Sequence, residues 1–179
     1  YIQTAGWAAL LEKETGMKVR VVPMMGNPRL SSFVSGQTQI MANDLSAVVY
    51  FLQGEKTQSD IPKIKMSLLW IYCDTPWVFF VMGDSEIKTI YDIKKLVERG
   101  KKVRVSTVPG YALDVSTRRA LPAFLGIKSE DLDYVACSDT GAMIRAVAEG
   151  KAEVSMSNSS SPILMEVAAS PRGIRVLDM

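Results

Sequence analysis

Four polar loops hold the residues best suited to gripping a small molecule: Met24-Met25-Gly26-Asn27-Pro28-Arg29, Asn43-Asp44-Leu45-Ser46, Thr107-Val108-Pro109-Gly110-Tyr111 and Ser157-Asn158-Ser159-Ser160-Ser161-Pro162. Each lies between a segment with strand-like alternation and one with helical spacing. The start of a helix leaves backbone N–H groups without intrahelical partners, so such a loop is a natural seat for a carboxylate or another anion. Gly26 and Gly110 let the backbone turn, Asn27 suits an N-cap and Pro28 suits the first helical position. A plainer reading stands beside this one for any single loop: a tight turn whose N–H groups are met by water or, after Gly110, by Asp114.

Covalent chemistry has little to work with. The chain contains no histidine, which removes Ser-His-Asp and Cys-His pairs and most transition-metal sites. An enzyme would have to use Cys73 or Cys137 as an unactivated nucleophile, or a lysine Schiff base, so the expectation is a protein that binds, with no cofactor and no metal. The two cysteines could form a disulfide in an oxidising compartment or remain as buried free thiols, the second being preferred. Twenty-one basic and 19 acidic residues leave a net charge of +2, no footprint for nucleic acid. Lys94, Lys95, Lys101 and Lys102 read as a solvated rim. The longest apolar run, 77–82, is far short of the ~18 residues of a membrane span.

The elements that must position these loops alternate along the chain. A helix carrying Ala5, Ala8, Ala9 and Leu11 closes at Gly16. Strands are expected over 17–24, 39–42, 65–72, 77–82, 103–107, 132–136, 153–156 and 172–177. Helices are expected between them, most ending at a glycine, with a capping-box-like start at Thr89 and Asp92. Pro122 should kink or restart the helix that follows Gly110. This rhythm predicts an α/β fold with a mainly parallel sheet, in two similar lobes whose polar loops face a cleft. The junction of the two aromatic strands, Cys73-Asp74-Thr75-Pro76, is the candidate crossing between lobes.

In order, the segments 24–50 (MMGNPRLSSFVSGQTQIMANDLSAVVY), 77–94 (WVFFVMGDSEIKTIYDIK), 103–121 (VRVSTVPGYALDVSTRRAL) and 146–168 (AVAEGKAEVSMSNSSSPILMEVA) resemble the solute receptors of tripartite ATP-independent periplasmic (TRAP) transporters, in the TAXI subfamily. That resemblance implies a two-lobed periplasmic-binding-protein fold of type II, with residues 1–75 in lobe one and 76–179 in lobe two, hinged at Asp74, Thr75, Pro76 and Trp77. It implies a periplasmic receptor that closes on a small organic anion, a glutamate-like amino acid or a dicarboxylate, and hands it to TRAP membrane subunits. By position the first-lobe contacts are Gly26, Asn27, Asn43 and Asp44. The second-lobe contacts are Pro109, Gly110, Tyr111 and Ala112, with Asn158 and Ser159. Relatives tend to carry a Gly-Ser-Gly-Thr-like run where this chain has Pro109-Gly110-Tyr111-Ala112-Leu113, a loss of two hydroxyls and a gain of one ring that points to a bulkier or more apolar acid.

The resemblance also implies an internal stretch of a longer receptor, with lobe one incomplete and the export signal outside this numbering. Trp70, Tyr72, Trp77 and Tyr111 are candidates for cleft walls or for hinge and core packing. The competing class is the effector-sensing domain of a LysR-type transcription regulator, which has a similar two-lobed rhythm but is cytoplasmic and attached to a DNA-binding domain.

Overall fold

The computed structural model describes residues 2–24, 26–54, 60–69, 71 and 76–178. The chain divides into two compact units, residues 1–65 and 66–179. The first unit contains α1 (Ile2–Thr15), α2 (Gly26–Val34) and α3 (Leu45–Gln53). Gly16 stops α1 at a φ of +70° and Gly54 stops α3 at +75°, left-handed conformations natural to glycine. Ala8, Leu30, Ala47 and Phe51 are its buried apolar side chains. Ala9, expected on the buried stripe of α1, is exposed.

The strands expected over 17–24 and 39–42 do not form, nor does one form over the described residues of 65–72. Alternation makes a segment able to be a strand, but a ladder needs a second edge to bond to, and among the described residues these segments have none. Leu68 and Ile71, apolar residues of that expected strand, are each 70% exposed.

The second unit is a mixed sheet with helices on both faces. Its elements are β1 (Trp77–Met82), α4 (Ile90–Glu98), β2 (Val103–Thr107), α5 (Ala112–Val115), a π-helical turn (Ser116–Ala120), α6 (Leu121–Leu125), a 3-10 turn (Ser129–Asp131), β3 (Leu132–Ala136), α7 (Thr140–Ala148), β4 (Ser155–Asn158), α8 (Pro162–Ala168) and β5 (Ile174–Val176). β2 and β3 pair in parallel, from Val103 opposite Leu132 to Thr107 opposite Ala136. β4 lies parallel to β2 through the Val105–Val154 bridge, where the Ser106 N–H donates to the Val154 carbonyl at 3.0 Å. β1 lies between β4 and β5 and is antiparallel to both. The expected mainly parallel sheet is therefore mixed. The apolar run of β1 encodes burial on both faces, which a central position satisfies whichever way the strand runs.

One face packs Val81, Val103, Val105 and Val154 against Ile90 and Ile93 of α4 and Leu121 and Leu125 of α6. The other packs Phe80 and Met82 against Ile144 and Val147 of α7 and Leu164 of α8. Each such side chain, fully buried, contributes roughly 1.5–3 kcal/mol. α4 starts with the expected capping box: Thr89 is the N-cap and the Asp92 carboxylate accepts the Thr89 N–H at 2.9 Å.

Pro122 has the effect expected of it. The chain widens into the π turn and restarts at Leu121. In a π turn the Thr117 carbonyl looks for the N–H of residue 122, which proline lacks. The Tyr134 hydroxyl of β3 reaches that carbonyl instead, at 3.4 Å.

Candidate functional site

Because β2, β3 and β4 run the same way, their carboxyl ends reach one edge of the second unit, and the antiparallel β1 begins there. That edge gathers the loop 107–112, Cys137 and Asp139 after β3, Asn158 and Ser159 at the end of β4, and Pro76 and Trp77 at the start of β1. Trp77 pairs with Asn158 in the ladder. The Ser159 N–H donates to the Pro76 carbonyl at 3.0 Å. Residues read from sequence as second-lobe contacts thus lie together with half of the expected hinge. Trp70, Tyr72, Cys73, Asp74 and Thr75 lie outside the described residues.

The 107–112 loop leaves β2 at Thr107 and turns at Gly110, whose φ of +73° suits a residue without Cβ. The Tyr111 N–H closes the turn on the Val108 carbonyl at 3.2 Å. Tyr111 is the N-cap of α5, with no side-chain cap on the first turn. Pro109 is exposed, while Ala112 is buried. Tyr111 belongs to a buried cluster with Val108, Leu113 and Met143, against which the partly buried Trp77, Cys137 and Met156 pack. The Tyr111 ring therefore floors the loop. Asp114 does not cap the helix start: its Oδ1 accepts the Thr107 hydroxyl at 2.9 Å and the Arg118 Nε–H at 2.6 Å.

The Asn158 Oδ1 accepts both the N–H and the hydroxyl of Ser160, each at 2.8 Å, shaping the turn into α8. Asp139 caps α7 by accepting the Ala142 N–H at 2.8 Å, and that bond holds its carboxyl below the ordinary carboxylate range. Cys137 is a partly buried free thiol. Burial, and then the neighbouring Asp139, push its pKa up, the opposite of what a nucleophile needs. Among the described residues no three acidic or cysteine side chains converge to hold a metal ion.

In the first unit, α2 begins at Gly26, φ +58°, so Asn27 and Pro28 sit inside its first turn, two positions further in than the sequence suggests. Asp44 is the N-cap of α3, with its carbonyl accepting the Ala47 N–H at 3.1 Å. Sequence reading missed what ties these two loops together. Arg29 of α2 donates through Nη2 to the Oδ1 of Asn43, which also accepts the Asp44 N–H at 3.1 Å. A cation thus stands between two loops expected to face an anion. The only sequence signal was an arginine one turn after Gly26.

Two surface depressions mark the second unit. One, about 350 Å³, lies beside Cys137, Ser138, Ala142 and Arg145, at the margin of the candidate edge. The other, about 270 Å³, is at the opposite end of the strands. Its charges are already matched: Arg172 forks onto Asp84 at 2.8 and 2.9 Å, and Lys101 and Arg104 meet Glu153. The loops, with their turn-shaping amides, carry the site better than either depression does.

No protein-family model and no curated protein matches the chain. Solved structures do. An ancestral arginine-binding protein bound to arginine aligns with a TM-score of 0.63 at 13% identity, over 98% of this chain and 67% of that one. An ancestral amino acid-binding protein, a precursor of cyclohexadienyl dehydratase, aligns with a TM-score of 0.64 at 17% identity, over 99% and 66%. The periplasmic aliphatic sulphonate binding protein of Escherichia coli aligns with a TM-score of 0.60 at 20% identity, over 99% and 52%. The fold is that of the two-lobed, type II periplasmic binding proteins. The chain spans about half to two thirds of the length of these structures. In such α/β folds, ligands are met at the carboxyl ends of strands, where the loops 107–112 and 158–162 lie.

Proposed function

We propose that the chain is the ligand-capturing part of a periplasmic substrate-binding receptor that seats a small organic anion and delivers it to a membrane transporter. The observation that carries this reading is the collection of uncapped and hydroxyl-rich loops at one sheet edge, on a fold whose solved examples include amino-acid and sulphonate binding proteins. The ligand contacts are Gly26, Asn27, Asn43 and Asp44 on the first lobe, and Pro109, Gly110, Tyr111, Ala112, Asn158 and Ser159 on the second. Residues 1–75 are part of lobe one and 76–179 form lobe two. They close about Asp74, Thr75, Pro76 and Trp77 in a hinge motion. The order of the segments 24–50, 77–94, 103–121 and 146–168 supports a TAXI-type receptor working with TRAP membrane subunits. Its ligand is a glutamate-like amino acid or a dicarboxylate, and the apolar cluster of Trp77, Tyr111 and Met156 favours members with an apolar body.

The test is a thermal-shift screen of the chain against L-amino acids, dicarboxylates and alkanesulphonates, followed by calorimetry. An acid at 100 times its dissociation constant should stabilise the protein by about 2.7 kcal/mol. Folded Gly110→Val should lose most of that shift, because a side chain there blocks close approach to the N–H groups. Lys102→Ala, on the exposed rim, should keep it. A chain that responds to none of these acids has another function.

A further inference from the structure

The base of the 107–112 loop is closed by three buried polar side chains that are not themselves among the candidate ligand contacts. Thr107 ends β2, Asp114 lies in the first turn of α5 and Thr117 lies in the π turn; they are 0%, 7% and 0% exposed. Their hydrogen bonds have a fixed sense. An ionised carboxylate only accepts, so Thr107 gives its one hydroxyl proton to the Asp114 Oδ1, at 2.9 Å. The Thr107 oxygen is then one of three acceptors in reach of the Thr117 hydroxyl, at 3.0 Å, beside the Leu113 carbonyl at 2.9 Å and the Asp114 carbonyl at 3.2 Å. Arg118 completes the set. Its Nε donates to the same Asp114 oxygen at 2.6 Å, while its guanidinium lies 4.1 Å from the centroid of the Tyr134 ring on β3. A strand end, a helix start and a neighbouring strand are thereby tied together across a loop that turns through a left-handed glycine.

We propose that Thr107, Asp114 and Thr117 form a clamp that holds the 107–112 loop in its ligand-ready shape, with Asp114 as the positioning residue. The link to ligand rests on the function proposed above; the link to loop shape does not. A loop held in one shape before binding loses less conformational entropy on binding. The π turn is part of the device. It carries both Thr117 and Arg118, and such turns are frequent at functional sites.

The test uses the full chain with Thr107→Val, which keeps the shape and removes the hydroxyl, Thr107→Ser, which restores it, and Asp114→Asn. Hydrogen exchange of the Tyr111 and Asp114 amides, bonded to the Val108 and Tyr111 carbonyls, should speed up at least tenfold in Thr107→Val. It should return towards the original rate in Thr107→Ser, while the Ser106 amide in β2 stays unchanged. Affinity for L-glutamate and for methanesulphonate, whichever the original chain binds, should fall at least tenfold in Thr107→Val and in Asp114→Asn. Exchange that is unchanged at Tyr111 and Asp114, or that rises equally at Ser106, overturns the clamp. An original chain that binds neither probe excludes those two acids as its ligand, and the exchange rates then decide the clamp. If Thr107→Val does not fold, Asp114→Asn exchange at Tyr111 alone decides it by the same criterion.

Discussion

Trp77 and Asn158 face each other at the last rung of the β1–β4 ladder, and beside them the Ser159 amide is bonded to the Pro76 carbonyl. One residue of this pair was read from sequence as hinge and the other as ligand contact. Their pairing makes the start of β1 and the end of β4 a single mechanical unit. Trp77 also packs against the buried cluster of Val108, Tyr111, Leu113 and Met143, so under the proposed function a ligand held by Asn158 or Ser159 should alter the surroundings of its indole.

The first prediction follows. In a chain carrying Trp7→Phe and Trp70→Phe, the remaining Trp77 emission should shift in wavelength or intensity when an acid found by the thermal screen is added to saturation. The titration midpoint should equal the calorimetric dissociation constant. Emission that stays constant through saturation puts the ligand away from the β1–β4 end.

A second prediction concerns Tyr134 and Pro122. The Tyr134 hydroxyl reaches the Thr117 carbonyl that Pro122 has no N–H to satisfy, and it also meets the Ser129 hydroxyl at 3.0 Å. Tyr134→Phe should destabilise the second unit by about 0.5–1.5 kcal/mol. In a Pro122→Ala background, where residue 122 regains its N–H, the same change should cost less. Urea denaturation of the four-protein cycle gives the coupling. Equal costs in both backgrounds would mean that tyrosine and proline act independently.

Much of this was legible in the chain because the signals were local. The Thr89–Asp92 capping box, the restart at Pro122 and the turn at Gly110 each depend on a few neighbouring residues, and each is found where the sequence puts it. The failures required knowledge of distant partners. Residues 17–24 alternate like a strand yet meet no ladder, the apolar 65–72 run is open at Leu68 and Ile71, and nothing in WVFFVM says that β1 runs against both neighbours. The same limit hid Arg29 and Asp114. Pairing Arg29 with Asn43 spans two loops, and tying Asp114 to Thr107 depends on how β2 hands over to α5.

Asp92 supplies a pH prediction. Its bond to Lys95, followed by the N–H groups of Thr89 and Lys88, holds its carboxyl well below the ordinary value of 3.8. A depressed folded-state pKa contributes stability that is present above the unfolded value and is lost as pH falls through the folded one. Asp92→Ala should therefore cost about 1 kcal/mol at pH 7, typical of a lost cap. The gap between variant and original melting curves should close as pH drops below 3.8. The Lys95 pair adds little of this, because its ammonium is exposed and screened. A gap that is constant from pH 7 to pH 2 would show that the carboxylate charge is not what the cap uses.

The two units should also differ in their resistance to opening. All three clusters of buried apolar side chains among the described residues draw on residues 77–177, and the sheet there is covered on both faces. Among the described residues the first unit buries Ala8, Leu30, Ala47 and Phe51 as apolar side chains, and none of them forms a strand. Amide protection follows the free energy of the opening that exposes each bond, which scales with the apolar contact that must be undone. Hydrogen exchange of the ligand-free chain should then run fastest in residues 1–65 and slowest in β1, β2 and β4. A fragment of residues 66–179 should keep a cooperative melt and its β2–β3 protection, because the described side chains of its three clusters all lie in residues 77–177. Equal protection in both units would mean that the helices of residues 1–65 are held by more than their own packing. A 66–179 fragment that melts without cooperativity would carry the same meaning for the sheet.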